Sequence, residues 1–396
     1  MKEQGAFLEL FYSSDERNVL VALEILKNLD DVNLQQLIPD YLKLYQFFYD
    51  ATCHKLEAPH IIKLNNSDLL LGREVVGPIP QEVKRLKKLQ KLSLVLNDPF
   101  LSGIKYFTDI KELWIINEQI RELPLEIGEL KNLEKLTINC KNLEILPSSI
   151  GQLRKLQLLN VREAKLREIP PAIGQLSSLK LLDLKGNQLT NLPSSIGCLA
   201  NLQELNLENN QIYDLPPEIG QLPRIEMLLL ANNRLKKIPF SMGQLSSLLE
   251  LDVSYNELMS LPKELESLRK LKGLAFSNNQ IKQLSICFDK FTQLSGFVAR
   301  NNQLKRFPKG LCNCINLKTI YLSFNKIKKI PLDIGQLIHL ERLEIDNNRL
   351  KRFPTSVVNL RGLKTLIIYR NRISTKQQIK MNQWLSNCKV QFDEYE

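Results

Sequence analysis

Apolar and polar positions along most of this chain follow a ruler of 23 residues. From Leu192 to Lys237 one sentence is written twice, LPSSIGCLANLQELNLENNQIYD and then LPPEIGQLPRIEMLLLANNRLKK. Each copy holds Leu-Pro, an Ile-Gly pair and the string LxxLxLxxN. Asparagine closes that string at Asn187, Asn210, Asn233, Asn256, Asn279, Asn302, Asn325, Asn348 and Asn371, each 23 residues after the last. Extending the ruler backwards reaches Ala164, Lys141 and Glu118. The asparagine is lost there, but Leu133, Leu136 and Ile138 still precede Lys141, and Ile110, Leu113 and Ile115 still precede Glu118.

Within each copy LxLx predicts a short strand, with the leucines on one side and the residues between them on the other. The Leu-Pro element, with its restricted φ, suits the first turn of a short helix or 3₁₀ segment. The Ile and Leu of IGxL are expected to bury themselves beneath the strand. The asparagine amide can both donate and accept, so a ladder of side-chain bonds to the backbone of adjacent turns is expected. One such unit cannot bury its apolar side alone, and stacked neighbours can. The expected fold class is therefore an α/β solenoid whose strands line its concave side as one parallel sheet. Glu118, Lys141 and Ala164 should make the N-terminal repeats less uniform. A second irregularity falls at Leu284-Ser285, Cys287, Phe288 and Asp289, where neighbouring repeats have proline and Ile-Gly.

The flanks lack the period and are read as seals for the exposed ends of the stack. Residues 1–60 are expected to be a helical N-terminal cap. Ser13 and Glu16 make a capping-box signal before a helix to about Leu29. Leu34, Ile38, Tyr41, Tyr45 and Phe48 have the spacing of a second amphipathic helix. Residues 61–109 read as irregular first repeats. Leu89, Leu92, Leu94 and Asn97 fit the string, but Asn97 stands 21 residues before Glu118, and Asn97–Tyr106 has no Leu-Pro. His60–Leu71 is either a further imperfect repeat or the cap's first strand. Residues 110–373 are the regular repeats, and 374–396 a C-terminal cap. There Ser374 can N-cap a helix carrying Ile379, Met381, Trp384 and Leu385, before an alternating edge strand at Cys388, Val390 and Phe392.

The string LPxxIGxLxxLxxLxLxxNxLxx, nearly undiluted from Leu146 to Lys282, resembles one class of leucine-rich repeat proteins. That class includes plant intracellular Ras-group-related proteins, animal scaffolds of the Scribble and Erbin type, and bacterial members. The C-terminal end resembles the bacterial members more than the animal ones. The resemblance implies a horseshoe that binds other proteins, with no catalysis in the repeats. It implies no particular site residues, because ligand-contacting positions vary across the class.

Composition changes this picture little. No stretch has the length and apolarity of a membrane span, and the first residues do not read as a signal peptide. Seven cysteines are present, without clusters resembling disulfide caps. Cys314 occupies the buried Leu position of IGxL, and Cys198 and Cys312 lie in the same segment, where cysteine can act as a small apolar residue. A metal or redox reading of Cys312 and Cys314 finds no second pair to complete it. A reducing compartment follows, most simply the cytoplasm. No nucleotide, serine-hydrolase or zinc-protease motif occurs, and the three histidines His54, His60 and His339 are scattered. No catalytic residue, cofactor or metal site is therefore expected.

The candidate site consists of the residues flanking the inward leucines: Trp114, Asp183, Glu204, Glu208, Leu229, Glu250, Asp252, Tyr255, Val298, Arg300, Tyr321, Phe324, Ile367 and Tyr369. Five carboxylates form an acidic strip across the middle repeats. Val298, Tyr321, Phe324, Ile367 and Tyr369 form a partly aromatic strip further on, the composition of a protein-binding surface. The competing reading is ordinary solvent-facing strand residues.

Net charge is +11, and it is placed unevenly. Residues 281–396 hold 21 Lys and Arg against 8 Asp and Glu, leaving 33 against 35 in the first 280. Arg234, Lys236, Lys237, Lys282, Lys305, Arg306, Lys328, Lys329, Lys351 and Arg352 follow the asparagine turns and should stack along one edge. Such an edge suits an anionic surface or simple solvation. Aromatic residues are not interleaved with it, which argues against nucleic acid. The expectation is a non-catalytic scaffold that binds another protein on its concave face, with intracellular signalling as its setting. The alternative is a secreted bacterial effector or surface protein, exported without a cleavable signal, that binds a host protein.

Overall fold

The leucines and isoleucines of the repeat are the core. Strand by strand, Leu182, Leu205, Leu228 and Leu251 are buried, as are Ile196, Ile219 and Met242 of the turns beneath. The computed structural model describes residues 2–29, 31–75, 77–96, 101 and 103–393, which form two compact units, Met1–Leu179 and Lys180–Glu396. Asn97 and residues 98–100 and 102 of the irregular loop after it lie outside the described residues.

The first unit opens with five helices: α1 (Lys2–Phe11), α2 (Glu16–Lys27), α3 (Val32–Gln35), α4 (Leu37–Phe48) and α5 (Ala58–Leu64). Sequence periodicity had no signal for α1. The N-cap of α2 is Asp15, whose carboxylate accepts the Arg17 N–H at 2.9 Å, rather than Ser13. Ser13 Oγ instead accepts from Asp15 N–H at 3.0 Å. The face of α4 is also shifted from expectation: Leu37, Tyr41, Leu44 and Phe48 are buried, while Ile38 and Tyr45 are only partly so. The buried Tyr41 hydroxyl donates to Asn65 Oδ1, and Asn65 Nδ2 donates to the Phe11 carbonyl, each at 2.7 Å. This chain of bonds ties α1, α4 and the end of α5 together. It satisfies polar groups that burial would otherwise penalise.

Five parallel strands follow in sequence order: β1 (Asp68–Val75), β2 (Lys91–Leu96), β3 (Glu112–Ile116), β4 (Lys135–Asn139) and β5 (Leu158–Val161). The stretch His60–Leu71 therefore supplies the end of a helix and then the first strand. At two of the three missing-asparagine positions a buried residue stands one place early. Buried Asn117, next to exposed Glu118, donates from Nδ2 to the Leu96 carbonyl at 2.7 Å and accepts the Ile120 N–H at 2.8 Å. Buried Cys140 stands in the equivalent place beside Lys141.

The second unit holds β6 (Leu181–Asp183), β7 (Glu204–Asn206), β8 (Met227–Leu229), β9 (Glu250–Asp252), β10 (Gly273–Ala275), β11 (Gly296–Val298), β12 (Thr319–Tyr321), β13 (Arg342–Glu344), β14 (Thr365–Ile367), α6 (Thr375–Trp384) and β15 (Lys389–Gln391). All ten strands are parallel and in sequence order. Beneath them run one-turn 3₁₀ segments such as Ser194–Cys198, entered through Pro193 at φ −69°. Their glycines are sterically required: a Cβ at Gly197 would sit 2.5 Å from the Glu218 carbonyl of the next turn.

The asparagine ladder is present. Asn210 Nδ2 donates to the carbonyls of Leu184 (3.0 Å) and Leu207 (3.1 Å), while its Oδ1 accepts the Leu189 N–H at 3.0 Å. The same pattern repeats to Asn371.

The irregular repeat near Leu284 is rescued by aromatic packing. Phe297 meets Phe276 and Phe288 edge-on at 5.5 and 5.3 Å. Cys312 and Cys314 are buried, and desolvation pushes both thiols up to about 12, whereas Cys198 is exposed rather than packed. At the end, β15 pairs with β14 as expected, and Met381 and Leu385 are buried. Ile379 faces solvent, and Ser374 makes no side-chain cap bond.

Candidate functional site

Strand pairing brings the alternate, outward residues into rows. In the second unit one row runs through Asp183, Asn206, Leu229, Asp252, Ala275, Val298, Tyr321, Glu344 and Ile367, each opposite the next. A parallel row runs through Glu204, Met227, Glu250, Gly273, Gly296, Thr319 and Arg342. In the first unit Trp114 lies in a row with Ser93, Thr137 and Asn160, and is half-buried.

Not every expected member of the site can reach a partner. Asp183 is 0% exposed: its carboxylate accepts the Lys185 N–H at 3.1 Å and Asn206 Nδ2 at 3.3 Å. Its role is internal, and the acidic strip loses that end. Glu208 is half-buried and accepts from Lys185 Nζ at 2.6 Å. Glu204, Glu250 and Asp252 form no ion pair among the described residues; Asp252 Oδ1 accepts the Ser254 N–H at 2.8 Å, and none of the three charges is neutralised by a cation.

Towards the C-terminus Glu344, itself buried, holds two guanidiniums. Arg342 Nε donates to it at 2.6 Å, and Arg300 Nη2 reaches it from two repeats away. The Glu344 hydrogen bond raises Arg342 above its ordinary value. Arg300 also lies 4.3 Å from the centre of the Tyr321 ring, a cation–π contact. Sequence spacing gave no sign that Arg300 would lean over its neighbour. Val298, Leu229, Ile367 and Tyr369 are half-buried on the same face.

Tyr255 and Phe324 stand at the turn after the strand, 59% and 50% exposed. Their backbones are left-handed, at φ 54° and 55°. Five of the equivalent turns use Asn209, Asn232, Asn278, Asn301 and Asn347, a residue type that tolerates this region, and the others hold Glu163, Gly186 and Arg370.

Exposure of apolar side chains does not by itself single out this face, because Phe240 and Leu332 on the 3₁₀ side are 71% and 69% exposed. What distinguishes the sheet is continuity, with apolar, aromatic and unpaired acidic side chains in adjoining registered rows. The ten Lys and Arg that follow the asparagine turns, Arg234 first and Arg352 last, are all exposed. Among the described residues no group of three or more His, Cys, Asp or Glu is arranged to hold a metal ion. No helix among them is long and apolar enough to cross a membrane.

This fold and this open sheet define a repeat protein built around a broad face. The chain belongs to the leucine-rich repeat proteins. A leucine-rich repeat region model matches residues 96–180 and 195–295, and a second leucine rich repeat model matches 154–212 and 315–373. A leucine-rich repeat protein of Leptospira interrogans is 35% identical, with a TM-score of 0.67, over 84% of this chain and 92% of that one. The plant peptide hormone receptor RGFR1, solved in complex with RGF2, is 28% identical at a TM-score of 0.64, over 78% of this chain and 56% of the receptor. An internalin from Listeria monocytogenes, 18% identical at a TM-score of 0.55 over 91% of this chain and 97% of that one, shares the fold. No curated protein matches the sequence. Leucine-rich repeat proteins of this kind are typically protein-interaction modules or receptors.

Proposed function

We propose that this chain is a non-catalytic scaffold that binds another protein on the open face of the sheet in its second unit. The observation that carries this reading is the row from Leu229 to Ile367 together with its neighbours. It joins unpaired Glu204, Glu250 and Asp252 to Val298, Tyr321, Ile367 and Tyr369 on adjoining strands. Such a surface offers charge for orientation and aromatic area for affinity. The receptor RGFR1 was solved with RGF2 bound, which supports a peptide or protein as the ligand class. The seven free thiols support a reducing compartment, and so the cytoplasm, with intracellular signalling as the setting.

Replacing Tyr321 and Tyr369 together by alanine should weaken a partner captured by the wild-type chain by about 1–4 kcal/mol, with the circular-dichroism spectrum unchanged. Full retention of every captured protein by that variant would overturn the reading. Fractionation of the native cells tests the compartment, and recovery of the chain in the culture medium would refute a cytoplasmic setting.

A further inference from the structure

Two neighbouring strands of the open face carry glycine or alanine at most of their outward positions. β10 presents Gly273 and Ala275, and β11 presents Gly296 and Val298. Glycine weakens a strand interior, and where it persists it often marks close approach by another backbone or a ligand. Neither glycine is required by packing or by φ. A Cβ at Gly273 would meet Glu250 Cγ at 3.6 Å, and one at Gly296 would meet Thr319 Oγ1 at 3.6 Å, both ordinary contacts. The turn glycines are different, as Gly220 shows, where a Cβ would lie 2.3 Å from the Ser241 carbonyl. The next outward residue of β10, Ser277, is buried and accepts the Arg300 N–H at 3.0 Å. Arg300 leaves β11 to lie over Tyr321 and reach Glu344. The floor is therefore low and satisfied from within.

The two strands bordering this floor are the two that end in exposed, left-handed aromatics. β9 leads to Tyr255 and β12 leads to Phe324. Between them the same turn position is held by Asn278 and Asn301, bonded to each other at 2.6 Å. An aromatic residue at this φ costs backbone strain that asparagine largely avoids, and retained strain is a pointer to function. The glycines and the strained aromatics are independent observations, and they bound the same space.

We propose that β10 and β11 floor a slot, walled by β9 and β12, that takes an extended basic peptide segment of a partner protein. This deepens the open-face reading above and rests on it. Three strand spacings separate the walls, about 14 Å from backbone to backbone, which admits one extended chain with its side chains. From Gly273 to Asn278 the floor runs about 16 Å, or roughly five residues of extended peptide. The occupant is basic because the β9 wall carries Glu250 and Asp252, neither of them in an ion pair among the described residues. Its apolar residues face Val298 and Tyr321, and Tyr255 and Phe324 close on the peptide from either side at the turn end.

The test pans a phage-displayed random dodecapeptide library against the full chain, then measures the recovered peptides by fluorescence anisotropy. Recovered sequences should pair Lys or Arg with apolar residues. The double variant Gly273→Val, Gly296→Val should keep or raise the melting temperature, since valine favours strands, and bind those peptides roughly tenfold or more weakly. Tyr255→Asn with Phe324→Asn, which installs the residue found at five of the other turns, provides a second folded variant with the same expected loss. Equal binding by the wild type and both variants, or recovery of peptides without basic residues, overturns the slot. Peptides that ignore both variants but are lost on Tyr321→Ala with Tyr369→Ala would sink the slot while leaving the open-face reading intact.

Discussion

Asn232 and Asn233 are adjacent, chemically identical and differently placed, so they make a controlled test of what holds the solenoid together. Asn233 is buried. Its Nδ2 donates to the carbonyls of Leu207 (2.9 Å) and Leu230 (3.1 Å), and its Oδ1 accepts the Ile212 N–H at 3.0 Å. Asn233→Ala removes these bonds and strands the Ile212 N–H away from water, while the Leu207 and Leu230 carbonyls keep Asn210 and Asn256 as donors. At about 1–3 kcal/mol for a buried group left without its partner, the loss should be about 1–3 kcal/mol. That is a large part of a domain's stability. Asn232 is exposed, at φ 56°, and its side chain bonds only Asn209 Oδ1 at 2.8 Å. Asn232→Gly keeps the left-handed turn accessible and should change stability by less than about 0.5 kcal/mol. Guanidinium denaturation followed by circular dichroism measures both. Equal losses, or a cost below about 1 kcal/mol for Asn233→Ala, would refute the ladder as a structural spine.

Tyr255→Asn should raise stability by about 1 kcal/mol through relief of left-handed strain, read from the same denaturation midpoint. Phe297→Ala should cost about 3–5 kcal/mol, because it opens the aromatic packing that stands in for the missing Pro and Ile-Gly of that repeat. Under mildly alkaline iodoacetamide, mass spectrometry should find Cys198 alkylated well before Cys312 and Cys314, whose thiols burial pushes up to about 12. Because the fold raises those two thiols from 9.0, their stabilising contribution is complete below pH 9.0 and fades as pH approaches about 12. Melting curves of wild type against Cys312→Ala with Cys314→Ala should therefore converge at the alkaline end.

The repeats were legible because every copy states the same requirements at the same spacing. Leucines at LxLx and asparagine at the turn can be placed without knowing the neighbours. The features that were not legible depend chiefly on contacts with neighbouring repeats or elements. Asp183 reads as an outward acid until Asn206 and Lys185 close over it. Arg300 reads as a surface cation until Tyr321 and Glu344 capture it. Where Glu118 breaks the asparagine series, Asn117 beside it turns inward and donates to the Leu96 carbonyl of the strand before. In the cap, the buried face of α4 turned because α1, which had no periodic signal, supplies Phe11 against Tyr41 at 4.9 Å. Gly273 and Gly296 drew no notice in the sequence, where a glycine at an outward strand position carries no pattern of its own. Their meaning needed the packing, which shows that neither is sterically forced.

Quantitative affinity purification with three chains side by side tests the open-face reading most directly: wild type, Tyr321→Ala with Tyr369→Ala, and Leu332→Ser with Ile338→Ser on the 3₁₀ side. A protein retained by the wild type and the Leu332–Ile338 variant but lost from the tyrosine variant is the predicted result. A protein retained by the tyrosine variant and lost from the Leu332–Ile338 variant would place the binding surface on the opposite side and contradict it.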